Sequence, residues 1–485
     1  MRSLRRILLA LVLSLAASAM VKAQEEDTAP PAAEETEPLP EEYSCMFCHG
    51  SEGTLAEADD TKHLVITEEH LLADIHWQKG LRCHDCHGGS PILDDYTDHR
   101  DDSTFQERVM VTPADIPKFC GRCHSDLEYM RRYAPSSRTD QEAEYRTSGH
   151  GKRLRKAREE HEKALEAHKE KGGEGEPPAF QDPNVATCIS CHGRHGILAV
   201  DDQNSPVYPR HVAETCSHCH SDKELMADLT YGDPPRLIGY RQYDRWRESV
   251  HGKAMLEKGD MSAPTCNDCH GNHGAMPPGV DSVANACGNC HGKVAKLFAE
   301  TSMKHKFEEA GLPGCAQCHG NHQTLSPTDE MLGMQEGGVC ADCHEKNQHG
   351  ATVAGAEAAR AMRAGLEQLK LEIAEAEEKI AEVERLGMEV RGPRFDLRQA
   401  VDALTNARSM IHSFAWEPVK EALGEGLEVT DEVKGLAEAA LADHTYRRVW
   451  LGATLVPIGI VIVLLLLYIR SLPMPSKSTY EKGAS

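Results

Sequence analysis

Aromatic side chains are scarce in this chain, at 5% of 485 residues, and apolar residues of every kind make up only 40%. A protein of this length ordinarily builds two or three domains on apolar cores, and this composition leaves little to build them with. Basic residues are short as well: 53 Lys and Arg stand against 77 Asp and Glu, a formal net charge of −24. That deficit argues against a nucleic-acid partner, because the phosphate backbone requires a basic footprint. Soluble partners that dock electrostatically would present a basic face. Alternation of period two is essentially missing, so little or no sheet is expected. No cysteine stands alone either, which removes the isolated thiol nucleophile.

What is present is a repeated pentad. All 18 cysteines fall in nine Cys-x-x-Cys pairs: Cys45 and Cys48, Cys83 and Cys86, Cys120 and Cys123, Cys188 and Cys191, Cys216 and Cys219, Cys266 and Cys269, Cys287 and Cys290, Cys315 and Cys318, Cys340 and Cys343. A histidine follows each pair at once: His49, His87, His124, His192, His220, His270, His291, His319 and His344. Zinc ribbons and disulfides also use Cys-x-x-Cys, but neither places histidine after nine pairs of nine. The pentad is the attachment signature of c-type haem, in which both thiols bond to the porphyrin vinyls and the histidine ligates the iron. Nine covalent haem c groups are therefore expected, and they would supply the core that the composition lacks.

Eighteen further histidines are available for the opposite face of the irons. His150 and His251 share Ser-x-His-Gly-Lys; His195, His273 and His322 share Cys-His-Gly-x-His. One arrangement recurring at separate pentads points to a common role as distal ligand. His76 and His305 lie seven and ten residues before a pentad and His211 five before, which makes them candidates by proximity. His412, beside the apolar stripe of a C-terminal helix, would tie that region to the haems. His63, His70, His99, His349 and His444 are reserves, whereas His84 and His218 sit inside their own pentads and aim poorly at the iron. Iron held by two imidazoles has no open site, so such haems carry electrons and bind no substrate.

The rest of the chain frames this region. Residues 1–23 read as a secretory signal, with Arg2, Arg5 and Arg6 before the apolar run from Ile7 to Ala19, and 24–42 as an acidic, Pro-rich linker. The nonahaem region spans 43–350, interrupted by a charged insertion at 152–178 that reads as a solvated helix. Residues 351–445 form a helical region. Met362, Leu366, Leu369, Ile373, Ala376, Ile380 and Val383 make a heptad seam there that needs a partner helix, from this chain or a second copy. A second helix follows the Gly392-Pro393 break, and a third lies within 418–441 with an interruption near Gly424 and Gly426. Residues 449–469 are apolar, uncharged and long enough for one transmembrane helix, leaving 470–485 as a cytoplasmic tail. The export signal then places the haems on the periplasmic side. The fold expected is mainly helix and loop, a multihaem cytochrome c fold organised by its haems.

With these features in hand, the chain resembles the large bacterial multihaem c-type cytochromes, and its layout is similar to the superfamily of pentahaem nitrite reductases and octahaem hydroxylamine oxidoreductases. The phrases from Ile75 to Gly80, Tyr145 to Lys152 and Trp246 to Ala254 most resemble membrane-bound multihaem cytochromes that accompany a cytochrome b. That resemblance implies an electron-transfer subunit of anaerobic respiration, fed by a quinol-oxidising cytochrome b and delivering to a periplasmic cytochrome or terminal reductase. The alternative is an oxidoreductase acting on a small nitrogen or sulfur compound at one five-coordinate haem. The Cys-x-x-Cys-Lys pentad usual at the substrate haem of the nitrite reductases is absent from this sequence.

Overall fold

A computed structural model describes residues 44–51, 53, 55, 61–89, 113–173, 175–231, 235–276 and 286–473. The signal and the acidic linker, His99 and the C-terminal tail beyond 473 lie outside the described residues. The chain divides into two units, one of residues 1–229 with 271–276 and the other of residues 230–270 with 277–485.

The first unit consists of short helices joined by loops. The third and fifth pentads close nine-residue helices, Ile116–His124 and Val212–His220, whereas the second and fourth are single helical turns, Cys83–His87 and Cys188–His192. Local chemistry explains why such short turns hold: the second spacer residue of the pentad caps its own helix. Asp85 accepts the Arg82 N–H at 2.7 Å, and the Ser190 hydroxyl accepts that of Thr187 at 3.0 Å. Asp268 does the same for Thr265 at 2.7 Å in the second unit. The charged insertion is helical only as far as residue 170, on the helix Gly149–Glu170, which is exposed along most of its length and laced with i,i+4 pairs such as Arg158 with Glu162 at 3.5 Å. The one hairpin among the described residues pairs Thr230–Tyr231 with Arg236–Leu237.

The second unit ends in three long helices, Val353–Arg385, Arg391–Met410 and Trp416–Ser471. All seven seam residues of the first are buried, and they pack within the chain against Leu397, Leu404, Val419, Leu423 and Val433. The break between the first two helices falls at Gly387 (φ +76°), and Gly392 and Pro393 open the second helix, where a missing N–H costs nothing. The third helix runs unbroken through Gly424 and Gly426, contrary to the expected interruption. A side chain at 426 would run into Leu369 and the Ala403 Cβ. Glycine there serves close helix approach, and packing on its neighbours outweighs its cost of about 1 kcal/mol within a helix.

The same helix continues into the apolar stretch, whose residues from Val449 to Ile469 are mostly exposed. Among the described residues it is the one helix long and apolar enough to cross a membrane, with a mean hydropathy of 2.6 over its most apolar window.

Asp329 fastens the loop ahead of the ninth pentad to these helices. Its carboxylate accepts from Arg408 Nε at 2.9 Å and Nη2 at 2.8 Å and from Lys370 at 3.1 Å, and its carbonyl accepts from Arg363 at 2.8 Å. Hydrogen bonds from Arg408, opposed by burial and reinforced by Lys370, hold the carboxyl below the usual range. Its contribution is therefore complete above the unfolded aspartate pKa and fades as the pH falls through the lower folded value. Asp329→Asn should cost about 1–2 kcal/mol near neutral pH, and the difference from wild type should vanish in acid; denaturant unfolding at two pH values checks both.

Candidate haem-binding site

The buried apolar residues are distributed unevenly. Ten among the described residues lie in 44–350, from Leu71 to Phe298, against twenty between Ala356 and Ala437. A continuous apolar core joins the helices of the C-terminal bundle, whereas the pentad region is thin in apolar side chains, as a fold packed around bulky apolar groups would be.

The histidines are where the region is ordered. In the first unit His76 faces His124 with ring centres 5.9 Å apart, His87 faces His195 at 6.1 Å, His150 faces His220 at 6.1 Å and His192 faces His273 at 6.3 Å. In the second, His251 faces His291 at 6.4 Å, His270 faces His322 at 6.0 Å and His319 faces His412 at 6.1 Å. Each pair joins a pentad histidine to one from outside its pentad. Two imidazole–metal bonds of about 2.0–2.1 Å, plus roughly 1.1 Å from each ring nitrogen to its ring centre, give about 6.2–6.4 Å for one metal held between two rings. The observed separations lie at or just under that span. Among the described residues no three His, Cys, Asp or Glu side chains converge as a zinc site would require.

Burial keeps these rings in the form that a metal needs. It lowers His150, His192 and His322 to about 4 and moves His124, His195, His251, His273 and His319 down as well, so all eight are neutral imidazoles near pH 7. Second partners orient others. With Nδ1 protonated, His76 donates to Asp74 Oδ1 at 3.1 Å, His344 to the Thr352 carbonyl at 2.8 Å, His412 to that of Ser409 at 3.1 Å and His49 to that of Leu64 at 3.0 Å. Each bond leaves Nε2 for coordination. Asp74 is buried, and burial raises its carboxyl, but hydrogen bonds from His76 and from the Ile197 N–H (3.0 Å) outweigh that and hold it below the usual range.

The pairing follows a rule that proximity in sequence does not reveal. The histidine three places beyond an even-numbered pentad faces the pentad two earlier: His195 faces the second, His273 the fourth and His322 the sixth. The histidine ahead of an even pentad faces the following odd one: His76 the third, His150 the fifth and His251 the seventh. His412 comes from the bundle to the eighth. The proximity candidates His211 and His305 face no pentad ring. His211 donates from Nδ1 to the Ser205 carbonyl at 3.0 Å and lies against Tyr208, while His305 is 76% exposed beside Glu308 at 3.5 Å.

The thiols of consecutive pentads are neighbours. Cys120 and Cys188 are hydrogen-bonded, as are Cys287 and Cys315. Cys86 lies near Cys123, Cys191 near Cys216, Cys269 near Cys290, and Cys318 near Cys340 and Cys343. Pentads two to five thus follow one another within the first unit, and six to nine within the second. Burial pushes the Cys86, Cys191 and Cys318 thiols up to about 11, unlike exposed, reactive cysteines.

A family model described as Cytochrome c3 matches residues 259–345, which hold the sixth to ninth pentads. No curated protein and no solved structure matches the chain. The match and the repeated pentads support a multihaem c-type cytochrome with covalent haem c and a role in electron transfer.

Proposed function

We propose that this chain is a membrane-anchored cytochrome carrying nine haem c groups on the periplasmic side, passing electrons from a quinol-oxidising membrane partner, such as a cytochrome b, to periplasmic acceptors in anaerobic respiration. The observation that carries the reading is the set of seven facing histidine pairs, each spaced for one metal between two imidazoles. Haem iron, when bound, supplies a one-electron Fe(III)/Fe(II) couple at low to moderate potential under two imidazoles. The protein's part is to close both axial positions, keep the rings neutral, and set the attachment thiols in sequence within each unit. At these seven pentads closed coordination leaves substrate nowhere to bind, which favours a carrier over the rival reading of a small-molecule oxidoreductase. The long C-terminal helix fits the anchor, and a single span is too little to form a quinol pocket with haem b, hence the integral membrane partner.

Electron paramagnetic resonance of the oxidised protein tests this reading. Low-spin signals from the haems, with no stoichiometric high-spin ferric species, are expected. A full equivalent of high-spin haem would instead favour the enzyme. In membranes, quinol should reduce the haems when the partner is present and fail to do so when it is deleted.

A further inference from the structure

Four segments of this chain share a buried polar cap, and the fourth carries methionine where the other three carry histidine. Asp74, Ser148, Ser249 and Thr301 are all buried, at 7%, 0%, 0% and 9% exposure. Each donates its N–H to the carbonyl three residues back, Leu71 (3.1 Å), Tyr145 (3.0 Å), Trp246 (3.0 Å) and Phe298 (3.0 Å). Each side chain then accepts an N–H from the helical turn that follows: His76 at 2.8 Å, Gly151 at 2.9 Å, Gly252 at 3.0 Å and Lys304 at 3.1 Å. In the first three segments the next residue bonds to the loop of a later pentad. Ile75 donates to the Ile197 carbonyl at 2.7 Å, Gly149 to Ala275 at 3.0 Å and Val250 to Thr324 at 2.8 Å, each acceptor two places beyond His195, His273 or His322.

The second residue after the cap is the ligand position. It holds His76, His150 and His251, which face the third, fifth and seventh pentads. In the fourth copy the second residue after Thr301 is Met303, and the pentad next in this order is the ninth, with His344. The helix carrying it, Ser302–Glu309, adjoins the turn Gln348–Gly350 that follows that pentad: a Cβ on Gly350 would meet the Lys306 side chain at 3.5 Å. His305 is two residues further along, about 200° around the helix from Met303 at 3.6 residues per turn.

We infer that Met303, rather than His305, supplies the second axial ligand of the haem attached through Cys340, Cys343 and His344. This inference rests on the haem c reading above. Thioether ligation raises a haem's potential relative to two imidazoles. The ninth haem is then the electron sink of its unit, next to the loop that Asp329 fastens to the C-terminal helices.

The test uses the purified full-length haem protein and three variants, Met303→His, Met303→Ala and His305→Ala. The ferric wild type should show the weak sulfur-to-iron charge-transfer band in the far red and one midpoint potential standing above the others. Met303→His should abolish the band and lower that potential while all haems stay low-spin, Met303→Ala should abolish the band, and His305→Ala should leave band and potential unchanged. A wild type without the band, or a His305→Ala protein with a new high-spin haem, overturns the assignment. The haem count of the same samples reports separately on the underlying reading, because a protein with nine bis-imidazole haems would contradict the inference alone.

Discussion

Replacing His412 by alanine is expected to convert one haem in nine from low-spin to high-spin while the C-terminal helices stay folded. His412 sits in the turn Ile411–Ser413 between the second and third long helices, and its ring lies nearly parallel to that of His319, 18° apart in plane with centres at 6.1 Å. Its Nδ1–H is engaged by the Ser409 carbonyl at 3.1 Å, which leaves Nε2 toward His319. The turn is braced without the imidazole: Phe414, in a left-handed conformation at φ +51°, packs its ring on Phe298 at 6.1 Å. The seam of the bundle does not include position 412, so far-ultraviolet circular dichroism and the unfolding midpoint should change little. Paramagnetic resonance should gain one high-spin equivalent, and carbon monoxide should bind one reduced haem that is closed in the wild type. His412→Met should keep the haem low-spin and raise one potential. An unchanged spectrum in His412→Ala would detach the bundle from the haem array.

Gly252→Ala carries the second large effect, this time on stability. A Cβ on Gly252 would sit well inside van der Waals distance of the Trp246 carbonyl oxygen and 2.8 Å from the Arg247 Cα. That carbonyl cannot yield, since it already accepts the Ser249 N–H at 3.0 Å and hydroxyl at 2.6 Å. Overpacking of about 1–3 kcal/mol together with a weakened cap of about 1 kcal/mol gives an expected loss of about 2–4 kcal/mol. The ring of His251, on the preceding residue, would shift with it, so the haem of the seventh pentad should report the change. Gly151→Ala should behave alike, with the Tyr145 carbonyl in the same place. Gly424→Ala is the control: nothing lies within 4 Å of its Cβ position on an exposed helical face, and a gain of up to about 1 kcal/mol is expected. Equal unfolding midpoints for Gly252→Ala and wild type would contradict the packing described.

Much of this is legible in the amino-acid sequence. The pentads are defined by covalent chemistry, which demands two thiols and an imidazole at fixed spacing, and the seam from Met362 to Val383 is dictated by helical period. What proximity in sequence could not supply was the partner of each pentad histidine. His211 and His305 lie near pentads yet face none: the histidines that do stand second after a buried polar cap (His76, His150, His251), third beyond an even-numbered pentad (His195, His273, His322) or in the bundle (His412), whatever their distance along the chain. Asp74, Ser148 and Ser249 stand two residues before their histidines, and that signal was legible in the sequence once its meaning was known. The histidine patterns do not point to Met303, which shares their position after the cap but not their side chain. Gly424 and Gly426 suggested a break because glycine disfavours helix in isolation, whereas tertiary packing of Gly426 against Leu369 and Ala403 decides the matter.

The measurement that bears most directly on the whole account is the intact mass of the chain purified from cells that mature c-type cytochromes, taken beside its visible spectrum. Nine covalent haem increments with strong Soret absorbance are expected. A mass equal to the bare polypeptide, or to the polypeptide with zinc, would contradict the account at its root.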